Sequence, residues 1–411
     1  MAASEIRALF AVASRPEVVS LAGGMPFVQA LNLDTMADTV QRVISERGAQ
    51  ALQYGSGQGD VRLREQILDV MEPVGVTAHP DDIVVTTGSQ MALDLVTRVF
   101  CDPGDVVLVE APSYVGALGV FASYQCDVVH VSMDGEGLVP AALEASIAAV
   151  QASGRRVKMI YTIPSFHNPA GVTQGAQRRS ENLQVAQRAG VLVLEDDPYG
   201  LLGFEGEAPR AMRADDETGV IYLGSFSKTI ASGLRVGWAV APHGVREKLV
   251  LAAESAVLCP SNFSQLTVSE YLATQPWREQ IKIFQELYRE RRDALLESME
   301  SLLPPGTAWT TPSGGFYSWV TLPNGLDSKA MLPRALAALV AYVPGTGFYV
   351  DGSGRHNLRL SYCYPEPDRI REGVRRLATV VRAELDLTTT FGTSSGLHEP
   401  AGSGIPAPNL H

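Results

Sequence analysis

The sequence predicts an α/β protein: a large domain with a mostly parallel central sheet flanked by helices, followed by a smaller α+β domain. Three observations carry that reading. From about residue 50 to about residue 245, short runs rich in β-branched residues alternate with longer stretches of helical character, the signature of repeated βα units around a buried sheet. After about residue 260 the pattern changes to a long charged helix, isolated strands and a last helix. The length, 411 residues, leaves room for two to three domains and a large core.

The elements follow in order. Near the start, Ala8 to Ala13 reads as part of an amphipathic helix; Glu5 precedes it and the apolar run is too short for a secretion signal. Ile83-Val84-Val85-Thr86 is the first β-branched run, and it passes through Gly88 and Ser89 into a helix, Met91 to Phe100. Further strands are expected at Val106 to Val109, Asp127 to Ser132, Val157 to Thr162, Val191 to Leu194, Val220 to Leu223 and Val236 to Val240, with a helix from Gln174 to Arg188. The smaller domain begins with a helix from Gln280 to Met299, then strands around Gly315 to Leu322 and Leu358 to Tyr362. In a final helix from Asp368, Ile370, Val374, Leu377, Val381 and Leu385 recur at helical spacing, and the arginines lie mostly off that stripe, as on a solvated face. From Thr388 onward the chain is rich in Thr, Ser, Gly and Pro and reads as a disordered tail.

Composition excludes several function classes. The 45% hydrophobic and 19% charged residues are those of a packed globular chain, and the 38 glycines and 25 prolines follow no collagen-like period. A net charge of −12 provides no broad basic field, so no nucleic acid is expected as a partner. The apolar run Ala335 to Val343 falls far short of the roughly 20 residues of a membrane span, so no membrane is expected either. Cys101, Cys126, Cys259 and Cys363 are widely separated, the seven histidines have no ligand-like spacing, and no metal is expected; a cytoplasmic location suits such cysteines.

Three segments carry chemistry. In Ser225-Phe226-Ser227-Lys228-Thr229, followed by Gly233-Leu234-Arg235, a lysine sits in apolar surroundings just after a predicted strand. Most lysines are exposed, but burial lowers an amine's pKa and frees it for Schiff-base chemistry, while two serines and an arginine suit a phosphate. In Val191 to Gly200, Glu195, Asp196 and Asp197 follow a buried strand, where α/β sheets bind ligands; a turn acid ahead of Pro198 is an equally simple reading. Thr86 to Leu93 runs from a strand end into a helix N-terminus, a natural anion cradle that also occurs without any ligand. Gly55-Ser56-Gly57-Gln58-Gly59 lacks the dinucleotide spacing, and a nicotinamide site is rejected.

Together these segments resemble the fold type I pyridoxal 5′-phosphate (PLP) enzymes, specifically class I/II aminotransferases of the branch with 2-aminoadipate aminotransferases and MocR effector domains. The resemblance covers about Ser4 to Leu385 and rests on motifs in the family's order. They are Leu21 to Pro26, Tyr54-Gly55, Thr87 to Gln90, Ala111-Pro112-Ser113-Tyr114, Pro164 to Gly171, Glu195 to Tyr199, the Lys228 segment, and Asn357 to Ser361. The fold so implied is aspartate aminotransferase-like. The motifs divide the chain into an N-terminal segment joining the small domain (1–45), a large PLP-binding domain (46–260), a small domain (261–387) and a tail (388–411).

The resemblance implies a role for each residue. Lys228 would form the Schiff base with PLP and carry the proton between substrate Cα and the cofactor; Asp196 would pair with the protonated pyridine nitrogen. Tyr199 and Asn168 would bond the ring hydroxyl oxygen and Tyr114 would stack on the ring. Gly88, Ser89, Gln90, Ser225, Ser227 and Arg235 would form the phosphate cup, with Tyr54 reaching the phosphate of a neighbouring subunit in a homodimer with shared active sites. Arg359 would clamp the substrate α-carboxylate, alongside Asn168 and Gly24. Arg7 would either meet a substrate side-chain carboxylate or simply be solvated. His167 has no catalytic role in this scheme. The family's usual aromatic, proline, threonine and proline are replaced by Leu31, Asn32, Ala170 and Ser232, none of them a cofactor ligand. The implied activity is transfer of the amino group of an L-α-amino acid to a 2-oxo acid, with 2-oxoglutarate expected, by a ping-pong mechanism. A PLP lyase, decarboxylase or cyclising synthase would use the same residues. A PLP-sensing regulator would need a DNA-binding module, for which there is no room ahead of Gly23-Gly24.

Overall fold

Apolar β-branched runs form the centre of the molecule, described here for residues 15–323 and 325–391 of a computed structural model. The chain enters through β1 (Val19–Ser20), α1 (Leu33–Ala51) and α2 (Val61–Met71). It then lays down β2 (Ile83–Thr86), α3 (Ser89–Phe100), β3 (Val106–Ala111), α4 (Val115–Ser123), β4 (Asp127–Asp134), β5 (Gly137–Leu138), α5 (Pro140–Ala152) and β6 (Val157–Thr162). Next come α6 (Ala176–Ala189), β7 (Leu192–Asp196), β8 (Val220–Ser225), β9 (Gly237–Val240), α7 (His243–Val257), α8 (Asn262–Thr274) and α9 (Trp277–Leu302). The last part holds β10 (Ala308–Trp309), β11 (Tyr317–Thr321), α10 (Ser328–Ala337), β12 (Val340–Ala341), β13 (Val343–Pro344), β14 (Asn357–Ser361) and α11 (Pro367–Phe391).

Strands β2 to β9 form one eight-stranded sheet, ordered β2-β9-β8-β7-β6-β3-β4-β5. It is mostly parallel; β9 runs against both β2 and β8, and β5 runs against β4. Side chains alternate across a strand, and the core divides accordingly. Val107 and Val109 pack with Leu93, Val96, Phe121 and Leu249 of α3, α4 and α7, whereas Val106 and Leu108 pack with Leu143, Ile147 and Leu183 of α5 and α6. The sheet is therefore covered on both faces, which is why its strands read as continuous apolar runs.

The second sheet is antiparallel, ordered β10-β11-β14-β13. The N-terminal segment joins this part of the molecule: β1 pairs with β12, and the Leu21 backbone bonds Ala341 and Ser361. Asn32 caps α1 through the Thr35 amide, and Leu31 is buried in the core, so both unusual residues have structural work to do. The last helix runs to Phe391, past the tail boundary at 388. The hydroxyls of Thr388, Thr389 and Thr390 bond the carbonyls one turn back, which satisfies these side chains within the helix. The remainder of the expected tail, and the expected helix around Ala8 to Ala13, lie outside the described residues. No helix among the described residues is long and apolar enough to cross a membrane.

Candidate active site

The strands of the large sheet are apolar along their length and polar at their carboxyl ends: Thr86 ends β2, Glu110 is next to last in β3, Glu195 and Asp196 end β7, and Ser225 ends β8. Ligands bind open α/β sheets at such ends. A cavity of about 550 Å³ opens there. Loops of the large sheet line it with Ser89, Tyr114, Asn168, Asp196, Tyr199, Ser225, Ser227, Lys228 and Arg235; Gly24, Tyr317 and Arg359 close it from the N-terminal segment and the second sheet.

Lys228 lies in a widened helical turn, Ser227–Ala231, immediately after β8. Turns of this kind recur at functional sites. Its Nζ donates to the Gly24 carbonyl at 3.1 Å and lies 5.7 Å from the Phe316 ring centre. Burial, followed by the nearby Arg235 and Arg359 cations, holds the amine below the ordinary lysine range, against the opposing pull of Cys363 and Asp196. Asp196 is buried, and burial raises its carboxyl to about 6, with the Asp197 charge adding to the rise and a hydrogen bond from Tyr161 opposing it. Its Oδ2 accepts the Tyr161 hydroxyl at 2.7 Å, while its Oδ1 has no hydrogen-bond partner. A buried, bare carboxylate oxygen on a cavity wall is suited to a cationic N–H donor.

Two arginines supply the positive charge. Arg235, held at φ +54°, donates to the Ser227 hydroxyl and Ser232 carbonyl at 3.2 Å and to the Thr87 carbonyl at 3.3 Å. Gly88 must be bare beside it: its φ is +78° and a Cβ would run into the guanidinium. Helix α3 starts here without any side-chain cap, and Ser225 Oγ accepts the Ser227 amide at 3.0 Å. Hydroxyls, a helix N-terminus and a fixed cation together suit a dianion such as phosphate. Arg359, in the middle of β14, is 3% exposed. It donates to Asn168 Oδ1 at 2.9 Å and to the Ala22 carbonyl at 2.7 Å, and stacks over Tyr317 at 4.1 Å, yet its Nε has no partner. Among the described residues no carboxylate lies within ion-pair distance of Arg235 or Arg359. A buried guanidinium, Arg359, and an exposed one at the cavity, Arg235, both without counter-charge, suit anionic ligands.

Most residues predicted from the sequence meet on this cavity, and some stand apart. Gly88 and Gln90 sit behind its wall; the Gln90 amide holds the Gly116 carbonyl and accepts the Tyr114 hydroxyl at 3.2 Å, fixing the ring at the start of α4. Tyr54 is 75% exposed and away from the cavity of its own chain. Arg7 lies outside the described residues. His167 Nδ1 accepts the Ala170 amide, which leaves the ring proton on Nε2, 2.9 Å from the buried Glu110. Sequence reasoning missed Tyr161, Tyr317 and Glu110. Glu110 also accepts from Thr162, Ile163 and Gln174, anchoring the segment that carries Asn168. The one available signal was a polar tip at the end of a predicted strand.

The family model described as aminotransferase class I and II matches residues 16–377. The aromatic-amino-acid aminotransferase 1 of Thermococcus litoralis is 41% identical over 388 residues, 94% of this chain and 93% of that protein. The 2-aminoadipate transaminase of Thermus thermophilus is 38% identical over 94% of this chain and 95% of its own length. In structure, Pyrococcus horikoshii kynurenine aminotransferase, solved in complex with PMP, superposes with a TM-score of 0.90 at 40% identity, covering 94% of this chain and 96% of that one. A match of that length to one family, joined to close relatives over nearly the whole sequence, makes this chain a member of the class I and II aminotransferases, a pyridoxal 5′-phosphate-dependent enzyme acting on small molecules.

Proposed function

We propose that amino-group transfer in this enzyme turns on Lys228, with an L-α-amino acid as donor and 2-oxoglutarate as acceptor, in two half-reactions that use one cavity in turn. The observation that carries this is the set of unmatched groups on that cavity: a partly buried amine, a buried carboxylate with one bare oxygen, and a buried guanidinium with no carboxylate. These residues fit pyridoxal 5′-phosphate. Asp196 Oδ1 would accept from the protonated ring nitrogen, Tyr199 and Asn168 would hold the ring hydroxyl oxygen, and Tyr114 would lie against the ring face. Ser89, Ser225, Ser227 and Arg235, with the backbone of Gly88 and Gln90, would hold the phosphate. When bound, the cofactor supplies an electron-poor ring that accepts the electron pair left at the substrate Cα.

The chain's own residues do the rest. Arg359 takes the α-carboxylate through its fork, oriented by Asn168 and the Ala22 carbonyl, with Gly24 beside it. The Cα hydrogen would then face Lys228, whose amine, held below the ordinary lysine range by burial, would take this proton and return it on the cofactor side. A screen of single half-reactions tests the assignment. Holo-protein mixed with one amino acid and no acceptor should form one equivalent of 2-oxo acid per subunit, and 2-oxoglutarate should then make turnover continuous. Release of ammonia or carbon dioxide without need of an acceptor would point instead to elimination or decarboxylation.

The wall beside Tyr114 supports a donor with a large side chain, in line with the aromatic-amino-acid, kynurenine and 2-aminoadipate activities named for the relatives. Val115, Gly116 and Gly119 line it, and a Cβ at Gly119 would meet no atom within 4 Å. Glycine inside a helix costs up to about 1 kcal/mol against alanine, so this position gives up stability for space. Gly119→Leu is expected to lower kcat/KM for phenylalanine roughly tenfold while sparing alanine as donor. Equal losses for both donors would refute a side-chain pocket here.

The same reading supports a homodimer, with Tyr54 serving the phosphate of the other subunit. Tyr54 and its neighbours Leu52 and Leu258 are all more than half exposed, and the Gly55–Cys259 and Gln53–Asn262 hydrogen bonds gather them on one face. Light scattering should give twice the chain mass, and a monomer with full activity would remove that role from Tyr54. The free cysteines fit a reducing, cytoplasmic compartment, where fractionation should find the enzyme.

A further inference from the structure

We propose that Tyr161 is the positioning residue for Asp196: its hydroxyl keeps that carboxylate ionised and turns the bare Oδ1 toward the ring nitrogen of the cofactor. The inference rests on the reading of Asp196 given above and concerns a residue to which that reading assigns nothing. The register of the sheet brings the two together. Strands β6 and β7 pair Tyr161 with Leu194, so Asp196, two residues further on, shares a sheet face with Tyr161 on the diagonal. Tyr161 is fully buried, and its ring is packed edge-on against Phe121 at 5.7 Å. The phenol therefore has little freedom, and its proton goes to Asp196 Oδ2 at 2.7 Å. One oxygen is thereby occupied from below, and the other is left to the cavity.

The charge on Asp196 needs this help. Burial and Asp197, next along its own strand end, both favour the neutral acid; Tyr114 and Tyr222 are neutral neighbours, and the Lys228 amine across the cavity opposes them when it is protonated. A hydrogen bond to the ionised form lowers a carboxyl pKa. Its removal raises that pKa, so the ionised form is lost at a higher pH than in the wild type. A neutral Asp196 is a poor partner for a protonated pyridine.

Titration of apoprotein with pyridoxal phosphate across pH 5 to 8, followed by absorbance and by protein fluorescence, tests the inference without reference to turnover. For Tyr161→Phe, the midpoint of the acid-side loss of binding should move up by about one pH unit, and binding near neutral pH should weaken by roughly tenfold. Phe121→Leu is the packing control. It loosens the same ring but keeps the hydroxyl, so it should lower the melting temperature and leave the midpoint where it was. An unchanged midpoint in Tyr161→Phe, or the same shift in Phe121→Leu, overturns the role of the hydroxyl. Wild-type apoprotein that fails to bind pyridoxal phosphate at any pH overturns the Asp196 reading itself, and this inference with it.

Discussion

Lys228→Ala is expected to lower turnover by roughly 10⁴-fold or more while leaving the protein folded and able to bind pyridoxal phosphate non-covalently. The amine is proposed to hold the cofactor covalently and to move the Cα proton, and Phe316, 5.7 Å away, can do neither. The phosphate-binding groups do not depend on it, because Ser227, Thr87 and Ser232 are what fix Arg235. Loss of the lysine should therefore abolish the covalent absorbance band and spare much of the affinity. The pH dependence has a definite sign. A lysine whose pKa is depressed by burial stays uncharged over more of the neutral range than a free lysine does, and proton abstraction fails only as pH falls below that depressed value. A small amine added to the variant should restore part of the activity, and should do so better as pH rises and the amine deprotonates.

Arg359→Ala is expected to reduce kcat/KM for amino and oxo acids by about 10²- to 10³-fold, which is the scale for truncating one partner of a buried, hydrogen-bonded charge pair. Arg359→Lys should recover little. The site uses a planar fork, with one arm on Asn168, another on the Ala22 carbonyl, and its face over Tyr317, and an ammonium reproduces none of that geometry. Thermal shift provides an independent check. 2-Oxoglutarate should raise the melting temperature of the wild type and not of Arg359→Ala, because a ligand stabilises only by what it binds. Variants with normal KM values would mean that the carboxylate is bound elsewhere.

Much of this was legible in the sequence, for physical reasons that differ from element to element. The strands of the doubly covered sheet are long apolar runs, and the expected bounds of β2 and β6 coincide with those found. Lys228 and Asp196 stood out as polar residues just after apolar strand segments, whereas Asn168 and Arg359 were picked out by the family resemblance alone. Tyr161 could not be read in the same way. Its position in the site follows from the pairing of β6 with β7, and register is a property of two strands together. Tyr317 enters through the pairing of β11 with β14, where Ser318 and Trp319 stand opposite Leu360 and Arg359. Gln90 was expected in the phosphate cup, and its side chain is directed at Tyr114, a contact set by how α3 meets α4. At the other extreme, the end of α11 was placed too early because threonine-rich composition signals loop, whereas these threonines continue the helix with their hydroxyls turned back onto the carbonyls of the preceding turn.

All of the proposed chemistry depends on which amine carries the cofactor. Reduction of the holo-protein with borohydride, followed by proteolysis and mass mapping of the modified peptide, reads this directly. The expected result is a single modified residue, Lys228, in the peptide that contains Ser225 and Ser227, with the modification prevented by prior addition of an amino-acid donor. Attachment at another lysine, or no attachment in a protein that still transfers amino groups, would contradict the assignment of this cavity as the active site.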